Sequence, residues 1–227
     1  GEMGEVRQAV PAAVPPGGWR TIVFVSHDEP RVASRYGAAA GRLMLCLLFT
    51  LRGTPVLYNG DELGLPNVEP PPGQVLDPWG RHDEGHIRDR GRGPIPWTPG
   101  PGGGFSTAQP WLPLPTGADA LSVQTQAHDP DSTLRLTRRL CALRRASPAL
   151  RQGAYRPAQP PTPQVLTFDR VGTDHVVRVA ANFAATPVTA KVPRSARLLL
   201  ATGPGTRLDE PLLTLGPHEA AVVSHTH

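Results

Sequence analysis

A short apolar run, Thr21-Ile22-Val23-Phe24-Val25, breaks abruptly into the polar string Ser26-His27-Asp28-Glu29 and then Pro30. Its β-branched and aromatic residues show no helical period, which predicts a buried strand over residues 21–25. The next apolar stretch, residues 34–51, is long enough for a helix. Its second half, Leu43-Met44-Leu45-Cys46-Leu47-Leu48-Phe49, has no polar side. A helix without a polar face lies buried between layers, and Gly53 is placed to end it. Pro55-Val56-Leu57-Tyr58 then reads as a second strand, running into Asn59-Gly60-Asp61-Glu62. Strand, polar loop, buried helix, strand and polar loop make a right-handed βαβ unit with parallel strands. Both strands open into acidic loops on one edge, where parallel sheets present their chemistry. Asp28 is the first candidate. In the plainer alternative, Ser26 and Asp28 cap the following helix and Arg31 is a surface charge.

The pattern elsewhere is more broken. Residues 5–13 suit the tail of a helix, stopped by Pro15-Pro16-Gly17-Gly18. Residues 66–115 show little periodicity, yet they hold Trp79, Trp97 and Trp111 and the charged string Arg88-Asp89-Arg90-Gly91-Arg92. An irregular segment of that length is functional or disordered, and its tryptophans favour order. A helix capped by Asp131 or Ser132 runs to about Arg145 on the stripe Leu136, Leu140 and Leu143. Beyond Gly153, short β-rich runs near residues 165–168, 175–180, 188–192, 197–200 and 220–223 predict an antiparallel sandwich. The proline-rich residues 156–163 mark the boundary. Two domains follow, residues 1–155 with a long loop at 65–115, and residues 156–227.

Composition narrows the function. The chain has 227 residues and a formal charge of +4, with 24 Gly and 28 Pro, which indicates a loop-rich globular protein with no collagen-like triplet. No basic cluster is interleaved with aromatics, so no nucleic-acid partner is expected. The longest apolar run, residues 43–51, falls short of the roughly 20 residues a bilayer needs, so no membrane partner is expected. Cys46 and Cys141 lie far apart in apolar helical contexts and read as reduced thiols, which fits the cytoplasm. No secretion signal is visible at the start, and the missing initiator Met raises the prospect of a truncated beginning. His82, His86 and His128 lack metal-ligand spacing, Gly102-Gly103-Gly104 lacks a phosphate-loop context, and no cofactor is implied.

Four segments together resemble the C-terminal half of the α-amylase family of glycoside hydrolases, in its α-glucosidase and oligo-1,6-glucosidase branch. Ser26-His27-Asp28-Glu29-Pro30-Arg31 resembles the family's Asn-His-Asp-Gln-Pro-Arg segment at the end of barrel strand seven. Residues 52–64, Arg52-Gly53-Thr54-Pro55 through Gly60-Asp61-Glu62-Leu63-Gly64, resemble its strand-eight segment. Arg88-Asp89-Arg90-Gly91-Arg92-Gly93-Pro94-Ile95-Pro96-Trp97 resembles its Arg-Asp-Gly-Cys-Arg-x-Pro-x-x-Trp loop, continued by Phe105 and Pro110-Trp111-Leu112-Pro113. Ser26, Glu29 and Arg90-Gly91 depart from the family pattern.

The resemblance implies an α/β plus all-β fold: the strand-seven and strand-eight portion of a (β/α)8 TIM barrel, followed by an antiparallel β-sandwich. It implies that Asp28 stabilises an oxocarbenium-like transition state, that His27 binds the same sugar, and that Arg88 and Arg92 line the substrate mouth. The substrate would be an α-linked gluco-oligosaccharide, cleaved with retention. Such chemistry needs two further carboxyl groups about 5–5.5 Å apart, which the family carries on strands four and five. They are not expected here, because a full barrel takes about 250 residues. The missing N-terminal barrel half is then a partner, and the chain alone is expected to be inactive. Asp61 and Glu62 are expected to brace loops rather than replace the pair. Two alternatives stand beside this: a non-catalytic carbohydrate-binding or scaffold module, and a fragment of a trehalose-forming isomerase.

Overall fold

A computed structural model describes residues 18–80, 82–83 and 87–226. The expected helix over residues 5–13 lies outside them. The first strand, β1, covers Thr21–Val23 and pairs in parallel with β2, Thr54–Val56, in the register Thr21↔Thr54, Ile22↔Pro55 and Val23↔Val56. The apolar run at 21–25 is thus longer than its strand. The ladder extends only as far as the partner does, and residues 24–25 continue unpaired.

The expected helix over 34–51 is two helices. Val32–Tyr36 forms α1 and Ala38–Thr50 forms α2, divided at Gly37. Gly37 adopts φ 86°, a left-handed value open to glycine at little cost. From α2, Leu43, Leu45, Cys46, Leu47, Leu48 and Phe49 are all buried, as its all-round apolar pattern predicts.

After β2 the chain makes short 3-10 turns at Asp61–Leu63 and Arg88–Arg92, with residues 64–80 irregular between them. The helices α3 (Ala118–Leu121), α4 (Val123–His128), α5 (Thr133–Ala146) and α6 (Pro148–Gln152) follow. Ser132 is the residue that caps α5, its Oγ accepting from the Arg135 amide.

The remainder is two antiparallel sheets. One has the order β3-β4-β5-β10-β7: Ala154–Pro157, Val165–Val171, Val176–Asn182, Ala220–His225 and Arg197–Ala201. The other has the order β6-β9-β8: Val188–Lys191, Leu212–Leu215 and Arg207–Asp209. The pattern at 165–223 predicted five of these eight strands; β3, β8 and β9 are additional.

The five-stranded sheet is covered on both faces. Val177, Val179, Ala181, Ala220 and Val222 pack with α2, α5 and α6. Their neighbours Ala180, Ala221 and Val223 point the other way, onto Leu213 and Leu215 of the smaller sheet. Period-two alternation therefore feeds two apolar layers at once, which is why these strands look apolar throughout.

Arginines tie the layers together. Arg170 of β4, fully buried, donates from Nη1 to the Thr50 carbonyl at 2.6 Å and from Nη2 to that of Gly153 at 3.0 Å. Arg144 of α5 donates to the carbonyls of Phe49, Leu51 and Gly53. Both guanidinium groups thus serve the open C-terminal carbonyls of α2, where cations are favoured.

Candidate functional site

The site forms where the two parallel strands end. Ser26 begins the loop after β1, its Oγ accepting from the Asp28 amide at 3.2 Å and its carbonyl from the Glu29 amide at 3.3 Å. This Ser-turn sets the Asp28 backbone, so the serine in place of the family's asparagine does structural work.

Three cationic or potentially cationic nitrogens gather at Asp28 Oδ1, those of Arg88 and Arg92 as hydrogen-bond donors. His27 Nε2 lies at 3.3 Å, Arg88 Nη1 at 3.2 Å and Arg92 Nη2 at 3.5 Å. All four residues expected from the motifs thus meet at one carboxylate oxygen. Among the described residues none donates to Asp28 Oδ2, and the Asp28 side chain is 46% exposed. A carboxylate half-neutralised in this way is a fixed acceptor for hydroxyl groups or for positive charge. Beside it lies a cleft of about 420 Å³ bordered by Asp28, Glu29, Arg35, Asn67, Arg88 and Arg90.

The supporting residues are less obvious. Arg31 is not the surface charge of the plainer reading: it is 1% exposed. Its Nη1 donates to the Asn59 carbonyl at 2.9 Å and to Asp61 Oδ1 at 3.4 Å, and its guanidinium lies 5.0 Å from the Tyr58 ring centroid. Its amide donates to Asn67 Oδ1. Arg31 therefore joins the loop after β1 to the loop after β2. Gly60 passes close over it, with φ 92°, and a Cβ there would stand 2.7 Å from Arg31 Nη1. Glu62 turns back on its own loop, Oε2 accepting from the Gly60 amide at 2.7 Å. Asp61 and Glu62 are thus braces, as expected. Burial pushes the Asp61 carboxyl up to about 6, Glu62 adding to the shift and Arg31 opposing it.

Two buried carboxylates back the arginines: Asp77, outside every motif, and Asp89, inside the Arg88–Arg92 string. Asp77, 2% exposed, accepts from Arg88 Nη2 at 2.6 Å, from Arg88 Nε at 3.0 Å and from the Arg88 amide at 2.9 Å. The hydrogen bonds from Arg88 hold the Asp77 carboxyl well below the usual carboxylate range against the cost of burial, and in turn raise Arg88. Asp89, 1% exposed, accepts from the amides of Leu76 and Asp77 and lies 3.6 Å from Arg92 Nη1. Asp77-Pro78 carries no period that links it to Arg88, so only a spatial contact could reveal it. Among the described residues no three His, Cys, Asp or Glu side chains gather as a metal site.

Two parallel strands presenting a carboxylate at their carboxyl edge, backed by a helix and a sandwich, have the form of a portion of a (β/α)8 barrel with a terminal β-domain. The chain belongs to the α-amylase family: residues 3–153 match the alpha amylase catalytic domain, and residues 158–222 match a domain of unknown function, DUF3459. It is 38% identical to a probable alpha-glucosidase of Rhizobium meliloti over 146 residues, 61% of this chain and 26% of that one. It is 25% identical to a probable oligo-1,6-glucosidase 2 of Bacillus subtilis over 236 residues, 90% of this chain and 42% of that one. The R284C variant of the trehalulose synthase MutB superimposes with a TM-score of 0.85 at 25% identity, over 98% of this chain and 46% of that one. An arginine-to-glutamine variant of the trehalose-6-phosphate hydrolase of Bacillus licheniformis shares the fold, with a TM-score of 0.81 at 23% identity over 93% of this chain and 44% of that one. The chain thus spans less than half the length of these relatives.

Proposed function

We propose that this chain supplies the strand-seven and strand-eight portion of an α-glucosidase-type barrel, residues 1–155, with its terminal sandwich in residues 156–227. In this reading Asp28 grips the hydroxyls of the reacting sugar and stabilises the oxocarbenium-like transition state. A fixed negative charge beside a developing cation in a dry pocket is a strong catalytic device. His27 binds the same sugar, while Arg88 and Arg92 hold Asp28 and frame the entrance. The substrate is an α-linked gluco-oligosaccharide, and the reaction retains configuration. The nucleophile and the acid/base belong to barrel strands four and five, so the chain alone does not hydrolyse glucosides. The two unpaired cysteines, Cys46 and Cys141, support a reducing compartment such as the cytoplasm.

The observation that carries this reading is the convergence of His27, Arg88 and Arg92 on Asp28 Oδ1. The test joins the first six barrel strands of the Rhizobium relative to this chain and measures release of p-nitrophenol from its α-glucoside. The folded hybrid is expected to be active, and Asp28→Asn to lower kcat by about 100-fold or more. A folded, active hybrid indifferent to Asp28→Asn would sink the reading. The likeness to a trehalulose synthase favours one second reading, an isomerising glucosyl transfer. A disaccharide product in place of free glucose in the same assay would select it.

A further inference from the structure

Asp77 lies in the irregular segment between the two 3-10 turns and belongs to none of the motifs. Its carboxylate stands behind Arg88, on the side away from Asp28. It takes Arg88 Nε at 3.0 Å and Arg88 Nη2 at 2.6 Å on Oδ1, and the Arg88 amide at 2.9 Å on Oδ2. The Trp79 ring covers the guanidinium, its centroid 5.2 Å from Cζ. Arg88 Nη1 is the nitrogen left over, and it donates to Asp28 Oδ1 at 3.2 Å. Asp77 itself is pinned, because its own amide donates to buried Asp89.

An arginine reaching a half-exposed carboxylate on its own makes a weak contact, since its rotamer freedom opposes it. Here the guanidinium is locked by a forked pair from a buried carboxylate before it meets Asp28. We propose that Asp77 is a positioning residue: acting through Arg88, it fixes the direction in which Asp28 presents Oδ2, the oxygen to which no described residue donates. The catalytic consequence rests on the reading of Asp28 as the sugar-gripping carboxylate. The coupling itself rests on the geometry alone.

The test uses the whole chain, labelled with 15N and 13C. The Arg88 Nε–H resonance is assigned by its loss in Arg88→Lys, and the Asp28 Cγ resonance by its loss in Asp28→Asn. In Asp77→Asn both resonances are expected to move by more than a linewidth, and Arg88 Nε–H exchange to quicken about tenfold or more. In an Arg88→Met background, Asp77→Asn is expected to leave the Asp28 resonance where it was, as coupling through Arg88 requires. An Asp28 resonance indifferent to Asp77→Asn overturns the proposal, and so does one that moves equally without Arg88. If Asp77→Asn does not fold, Asp77→Glu carries the test, since the longer side chain must displace the guanidinium. An unmoved Asp28 resonance in that variant overturns the proposal too. No sugar chemistry enters these signals, so their failure leaves the reading of Asp28 standing, and failure of the hybrid enzyme leaves the coupling standing.

Discussion

Val23 and Val56 lie directly opposite each other in the parallel pair, and both are open to solvent, at 47% and 44% exposure. Their strand neighbours Ile22 and Pro55 point the other way and are half-buried. The exposed face is the one that would line the interior of a closed barrel, and among the described residues no further strand pairs with either side of the two-stranded sheet. Open edges and exposed apolar faces promote association. The isolated chain is therefore expected to self-associate, and the double substitution Val23→Lys, Val56→Lys to reduce it. Sedimentation velocity over a concentration series checks this; unchanged association in the variant would refute it.

Gly60→Ala is expected to cost about 2 kcal/mol or more, since it combines a left-handed backbone with a contact on Arg31. Gly73 has φ 73° and nothing within 4 Å of an added Cβ. Gly73→Ala is expected to cost only the backbone part, about 1–2 kcal/mol. Urea unfolding of both variants isolates the part that belongs to the Arg31 crossing. Equal losses would remove Arg31 from the account.

Asp61 sets a pH signature. Its carboxyl is pushed from 3.8 up to about 6 in the folded chain. The folded state then holds this proton more tightly than the unfolded state does. The associated stability is fully present below about pH 4 and is lost as pH rises through about 6. Relative to Asp61→Asn, the wild-type chain should gain stability on acidification between those values. Asp77 works in the opposite sense. Its folded carboxyl lies below the ordinary 3.8, so its contribution is present above that value and falls away beneath it. Chemical denaturation at stepped pH separates the two windows. A wild-type curve parallel to Asp61→Asn between pH 4 and 6 would refute the first.

Among the described residues no carboxylate pairs with Arg170, which is pushed down to about 10, first by burial and then by Arg144 and Arg52. It persists because two buried carbonyls need its forked donors. Arg170→Lys, which cannot span both, is expected to cost about 2 kcal/mol. Arg207→Lys is the comparison, an exposed arginine beside exposed Asp209, and should change stability by less than about 0.5 kcal/mol. Thermal unfolding of the two variants decides it.

The sequence revealed elements through their composition and missed what depends on pairing. The all-apolar half of α2 announced its burial, and the order of strand, helix and strand announced a parallel pair. The length of β1 was hidden, because it depends on how far β2 runs alongside. The break at Gly37 was hidden inside a pattern that continues on both sides of it. The small sheet was seen only in β6, since β8 and β9 are short and separated by Glu210-Pro211. At the site, His27, Asp28, Arg88 and Arg92 were legible because each sits in a motif. Asp77, the contacts that Asp89 makes and the burial of Arg31 were not, because they depend on contacts between segments that no period connects.

The five-stranded sheet has one face in common with α2 and the other with the small sheet. The terminal strands therefore serve as an outer wall for the helix that follows the Asp28 loop. A cut in the irregular residues 158–164 would sever the backbone but leave that wall in place, held by apolar contact and by Arg42 and Arg170. The same wall limits exchange between relatives. A recombinant that takes its sandwich from another member must also take a surface shaped to the second half of α2, so the two parts are expected to travel together through evolution.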